Sequence, residues 1–204
     1  LSRTTLTMPT SARAGARTAA VALIIAASLG AAGCASITSS DSIDGVTVGG
    51  APMLPTRDIV ENASMSADHT TLVAAVQAAG LVDTLKGEGP FTVLAPTNDA
   101  FDALPAGTVD TLLMPENQET LQTILTCHVV AAAVMASDVV GMIEDDGGAH
   151  DVGTVGGCTL VATTENGQVM FTDENGTTAT VTTADVVQSN GVIHVIDAVL
   201  LPRQ

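Results

Sequence analysis

The sequence predicts an α+β fold, and three observations carry that expectation. Between Arg57 and Thr126 apolar residues recur at helical spacing. From His128 onward the pattern shortens to runs of strand length separated by turn residues. The last run, Val192 to Leu200, is nearly apolar on both faces, as expected for a central strand covered on each side. Helices gathered early and strands gathered late make this α+β. No internal repeat occurs, and 204 residues suffice for one domain with appendages.

The chain opens with an address. Arg3, Arg13 and Arg17 form a positive leader, Ala19 to Gly33 is an apolar run, and Ala31-Ala32-Gly33 is a small-residue cleavage site before Cys34. The run is too short for a membrane span. Residues 1–33 are therefore expected to be a signal peptide. Cleavage before a cysteine resembles the bacterial lipoprotein signal, in which Cys34 carries the lipid. An ordinary signal peptide cut near Ala32 is the alternative, since Ala31 stands where that pattern prefers Leu. Residues 34–55, rich in Ser, Gly, Thr and Pro, read as a flexible tether. As a random coil such a segment spans about 25 Å.

The folded part is expected from Thr56. Arg57 to Ala63 and Asp68 to Ala79 read as helices, the second stopped by Gly80. Leu81, Val82 and Leu85 add one helical turn. Val93 and Leu94, bounded by Gly89-Pro90 and Pro96, read as a buried strand. Thr97 and Asn98 can cap the helix that follows, Asp99 suits its first turn, and Phe101 with Leu104 can lie back on the strand. Gly107 to Leu113 is another short helix. Pro115 is expected at the first position of a longer one that carries Leu121, Ile124 and Leu125 on one face and ends near Thr126.

His128 to Val130 then reads as a strand. Ser137 is expected to cap a short helix through Met142, and Glu144 to Gly148 to form a loop. Strands follow at Thr159 to Thr163, Val169 to Thr172, Thr178 to Thr182 and Ala184 to Gln188, before the final run. Asn175-Gly176 is the turn signal between the second and third of these.

Two stretches resemble the signature boxes of fasciclin (FAS1) domains: Phe91 to Phe101, and Asn190 to Asp197. They stand in the right order about 100 residues apart. The resemblance implies a single FAS1 domain over residues 56–202, a short-stranded β wedge flanked by helices, with residues 203–204 as a tail. It implies structural roles for Phe91, Pro96, Thr97, Asn98, Asp99, Phe101, His128, Asn190, Gly191, His194 and Asp197. FAS1 domains usually carry a Tyr-His pair where this chain has Cys127-His128, and in some animal members that region supports integrin binding. Cys127 puts such a role in doubt here.

Composition limits the function. Removing residues 1–33 leaves Arg57, Lys86 and Arg203 against 22 Asp and Glu, a formal charge of −19. Such a surface repels phosphate backbones, so nucleic acid is excluded as a partner. With three Phe and no Trp or Tyr, the chain also has few rings on which to stack sugars or bases. The bland reading of the acidity is solubility in salty surroundings; the sharper one is a surface that faces cations.

No chemistry-bearing constellation emerges. Cys127 and Cys158, an even pair in an exported chain, are expected to form a disulfide. His128 reads as a satisfied, half-buried histidine. His194 and Asp197 fall on opposite faces of one strand, a poor start for a catalytic pair. His69 and His150 are isolated. Asp145, Asp146 and Asp151 near His150 lack the spacing of a Ca²⁺ loop and read as a solvated acidic loop. No nucleophile elbow, phosphate loop or dinucleotide fingerprint occurs. Asn62-Ala63-Ser64 and Asn175-Gly176-Thr177 match the glycosylation triplet, which a bacterial lipoprotein would normally leave bare.

The expectation is thus a non-catalytic adhesion or interaction module at the cell envelope, without cofactor or metal, touching the membrane only through an N-terminal lipid. Its partners would be cell-surface or matrix proteins or polymers. The alternative is an envelope carrier that holds a small apolar ligand between helices and sheet.

Overall fold

The computed structural model describes residues 45–203, so the leader and Cys34 lie outside the described residues. Nine strands and seven α-helices occur among them: β1 Val46–Val48, β2 Ala51–Met53, α1 Ile59–Met65, α2 Thr70–Ala78, α3 Val82–Leu85, β3 Phe91–Pro96, α4 Asn98–Asp102, α5 Thr108–Leu112, α6 Gln118–Cys127, β4 Val129–Val130, α7 Ala136–Asp145, β5 Ala149–Gly153, β6 Thr159–Glu165, β7 Gln168–Thr172, β8 Thr178–Gln188 and β9 Gly191–Ile196.

Seven strands form one sheet in the order β4-β3-β9-β8-β7-β6-β5. Only β3 and β9 run parallel, with Phe91 opposite Gly191 and Pro96 opposite Ile196. Every other neighbour is antiparallel. β9 is central and buried from Val192 to Ile196, as its apolar run predicts. Its alternate side chains feed two cores. Ile193 and Val195 join Val93, Ala95 and the helices α1, α2, α3 and α6 in the larger one. Ile196 joins Leu94, Leu160, Phe171 and Val181 in the smaller one, which α7 covers with Val139 and Ile143.

The sheet curls until its two edges meet at one corner. There the Val155 amide donates to the Val129 carbonyl (2.8 Å) and the Gly156 amide to the Thr126 carbonyl (2.9 Å). A Cβ on Gly156 would press on the backbone of Thr126 and Cys127, so this approach requires glycine. The Cys127–Cys158 disulfide sits at the same corner, with its Cα atoms 5.4 Å apart. Beyond it β4 and β5 are not paired with each other, and residues of both line one cavity. The result is a wedge, closed at one end and open at the other.

Several boundaries differ from expectation. The segment expected to be tether ends in the β1–β2 hairpin, which turns at Gly49-Gly50 and buries Val48 and Met53 in the larger core. Pro115 opens a 3-10 turn, Pro115–Asn117, and the α-helix starts behind it at Gln118. Ser137 lies inside α7 rather than capping it, because the Asp138 carboxylate accepts from the Met135 amide and starts the helix earlier. α7 also runs on through Glu144 and Asp145 before Gly147 and Gly148 end it. The run from Thr178 to Gln188 is a single strand with bulges near Thr183 and Asp185. β9 ends at Ile196, and Val199 and Leu200 are buried beyond it, outside any regular element.

Candidate functional site

The two signature stretches lie side by side as β3 and β9. A Cβ on Gly191 would collide with the Phe91 backbone, so the close start of this parallel pair depends on glycine. Asn190 fastens the same end. Its Oδ1 accepts from the Ile59 amide (3.1 Å), and its Nδ2 donates to the carbonyls of Leu85 (2.8 Å) and Gly87 (3.0 Å). One side chain therefore holds the start of α1 and the end of α3 against the sheet.

At the other end of β3, the Thr97 hydroxyl accepts from the Ala100 amide (3.3 Å) and caps α4. Asn98 does not share that task. Its Oδ1 accepts from the Thr71 amide (3.0 Å) and the Thr70 hydroxyl (3.2 Å), and its Nδ2 donates to the Ala67 carbonyl (2.8 Å). It caps α2 from outside, where His69 at the cap position supplies no side-chain bond. Asp99 is exposed in the first turn of α4, Pro96 is buried, and Phe101 packs into the larger core. Asp197 leaves the sheet's end with its Oδ1 accepting from the Thr180 amide (2.7 Å).

Three histidines are buried. The His128 Nδ1 donates to the Ile124 carbonyl (2.8 Å), and its Nε2 accepts from the Leu200 amide (3.0 Å). Both bonds require the neutral ring. Burial holds its pKa below the usual histidine range, against weaker pulls from the Ile124 carbonyl and Asp173. His194 uses the other tautomer: Nε2 donates to the Val134 carbonyl (2.9 Å), and Nδ1 accepts from the Asp185 amide (3.2 Å). Asp185 sits at φ 58° in the β8 bulge and accepts from the Ala136 amide (2.7 Å). His69 bonds Ser66 (2.9 Å), leaves Nε2 without a partner, and is also shifted down by burial. No ring nitrogen of His128 or His194 is free for a proton transfer.

Two polar residues that the sequence reading missed are structural. Asp173, 5% exposed, accepts from the amides of Asn175, Thr177 and Leu201 (2.8–2.9 Å), locking the Asn175-Gly176 turn to the C-terminal segment. Aspartate two residues before Asn-Gly is the signal that could have found it. Asn62, 0% exposed, bonds both backbone groups of Leu54 and the Gln188 side chain. Its glycosylation triplet is thus inaccessible in the folded domain. Asn175 is exposed.

The acidic loop carries one contact, His150 Nδ1 to Asp146 Oδ2 at 2.5 Å. No group of three or more His, Cys, Asp or Glu among the described residues is placed to hold a metal ion. Two cavities stand out among the described residues. One of about 70 Å³ lies between α1, α2, α3, α6 and β3, with an almost wholly apolar wall. The other, about 170 Å³, fills the open end of the wedge between β4 and β5.

Comparison with protein families matches residues 67–202 to the Fasciclin domain. The chain belongs to the fasciclin family. It is 50% identical over 144 residues to Protein sll1483 of Synechocystis, covering 71% of this chain and 73% of that one. It is 31% identical over 207 residues to the cell surface glycolipoprotein MPB83 of Mycobacterium bovis, covering 99% and 85%. Among solved structures it resembles a FAS1 domain pair from the insect cell adhesion molecule Fasciclin I, at a TM-score of 0.52 and 22% identity. That likeness covers 69% of this chain and 46% of the pair, and it concerns the fold.

Within the fasciclin frame, the sequence-predicted residues fall into separate groups. Phe91, Asn190 and Gly191 meet at one end of the β3–β9 pair, and Thr97, Asn98 and Asp99 lie at the other. His128 and His194 are held apart by different backbone partners. The described residues thus build a scaffold with an open wedge, in which the ring nitrogens of His128 and His194 serve backbone partners.

Proposed function

We propose that this fasciclin-family chain is a non-catalytic interaction module of the cell envelope. It is lipid-anchored at Cys34 and attaches to other cells, matrix or surface polymers. The likeness to a cell surface glycolipoprotein, which extends over 99% of the chain and so includes the leader, is the observation that carries this reading. No helix among the described residues is long and apolar enough to cross a membrane. Weak contacts become useful when many anchored copies share a surface.

Deleting the gene should weaken attachment or biofilm formation, with recovery on re-expression; attachment at wild-type level would overturn the module. Cys34→Ser should release the protein from the membrane fraction, and undiminished membrane association would overturn the anchor. The carrier reading predicts a small molecule that co-purifies and is visible by mass spectrometry. The cavity between helices and sheet, at about 70 Å³, counts against it. An engineered apolar cavity that binds benzene measures about 150 Å³.

A further inference from the structure

The open end of the wedge combines three features that the module reading does not use. The first is a free sheet edge. β5 pairs with β6 on one side only, and its outer side faces the gap toward β4. Along it Ala149, Asp151 and Gly153 are exposed, while His150 and Val152 turn inward. The second is the cavity of about 170 Å³ beside that edge, walled by Val130, Val134, Val139, Met142, Val152 and Phe171. The third is charge. Asp151 is exposed at the cavity's rim, Asp146 contacts His150 of its wall, and Glu144 and Asp145 are exposed just before them at the end of α7. No Lys or Arg occurs anywhere from residue 87 to residue 202.

We propose that the gap between β4 and β5 is a docking site for an extended, cationic polypeptide segment, which adds a strand to β5. Main-chain bonds to an edge strand supply affinity, and alternate side chains supply choice. The period of two places every second side chain of the incoming strand over the cavity, so these are apolar. The others fall on the face of Asp151, where opposite charges across strands attract and like charges repel. A second copy of this chain is disfavoured as occupant, because a formal charge of −16 with no cation near the gap repels its own kind. The usual guard on an exposed edge is lysine, and here it is aspartate. An anionic guard blocks self-pairing while leaving the edge open to a basic strand.

The inference rests on the interaction-module reading but has a separate readout. The purified full chain is mixed with a nonapeptide of alternating Lys and Val, and amide hydrogen exchange is followed. Exchange at Ala149–Gly153 should slow tenfold or more, with other surfaces unchanged. Binding should fall tenfold or more for a Glu-Val peptide and for a Lys-Val peptide N-methylated at alternate amides. Asp151→Lys should weaken binding to the same degree, and because that side chain is exposed the variant keeps its fold. Val134→Trp, which fills the cavity, should do likewise; if it does not fold, Asp151→Lys decides. Absence of protection at β5, protection elsewhere, or equal binding of the N-methylated peptide would overturn the site. So would a dimer of the free chain paired through β5. Attachment lost on gene deletion together with an unprotected β5 would sink the docking site alone.

Discussion

At the scale of single residues, His128 is tightly constrained, since both ring nitrogens serve fixed backbone partners. Burial lowers its pKa, so below about pH 6.5 the unfolded chain takes up a proton that the folded one refuses. Stability from the neutral ring is complete above that pH and is lost as the pH falls through the folded-state value. His69 is shifted the same way and adds to the effect. Thermal melts should therefore show a lower Tm at pH 5 than at pH 7.5, and the difference should shrink in His128→Gln. That variant should itself be about 2–3 kcal/mol less stable at pH 7.5, the cost of a disturbed buried pair of hydrogen bonds. Asn190→Ala removes three bonds at once and should cost about 2–3 kcal/mol by urea unfolding. The sequence suggests that His128, His194 and Asn190 matter structurally, but their partners lie 4 to 131 positions away and tertiary folding chooses them.

Among the elements, the strand–helix unit from Phe91 to Phe101 shows how far sequence reasoning reaches. The Thr97 cap is local, and its spacing to Ala100 is visible in the chain. The Asn98 cap acts on α2, 27 residues upstream, and no local pattern reports it. Asn98→Ala should cost about 1 kcal/mol, as loss of a cap does. Hydrogen exchange should then rise at Thr70 to Leu72 and stay unchanged in α4; the reverse pattern would mean that Asn98 serves its own helix. Gly191→Ala should be far worse, above about 3 kcal/mol, because the methyl group meets the Phe91 backbone at the start of the central strand pair. Two elements escaped notice for opposite reasons. The β1–β2 hairpin hides in a Ser- and Gly-rich segment, although Gly49-Gly50 between two short alternating runs is a hairpin signal. β5 has only half-buried positions on its inner face, so its apolar alternation is too weak to read.

For the molecule as a whole, the α+β division and the central β9 were legible because each rests on long apolar patterns, and the single fasciclin domain because Phe91 to Phe101 and Asn190 to Asp197 resemble the family's signature boxes. The curl that brings β4 and β5 together was not, because it depends on Gly156 and on pairings across the sheet's two ends. The disulfide closes that corner with a sequence separation of 31. Replacing both Cys127 and Cys158 by Ala should cost roughly 3–4 kcal/mol in the chain-entropy account. The measured loss should appear in urea midpoints of oxidised wild type against the variant. The acidic surface adds a global term: raising salt should increase Tm by screening self-repulsion.

That same corner governs what a tethered domain would do under tension. The cross-link encloses β4, α7 and β5 in a covalent loop, so pulling on the two ends of the chain cannot lengthen this part even after the fold gives way. At 3.3–3.6 Å per residue, about 100 Å of contour is withheld. A single-molecule stretching curve should show a length gain shorter by about that amount before reduction than after it. The strands that border the wedge would then stay within reach of one another while the rest of the domain is drawn out.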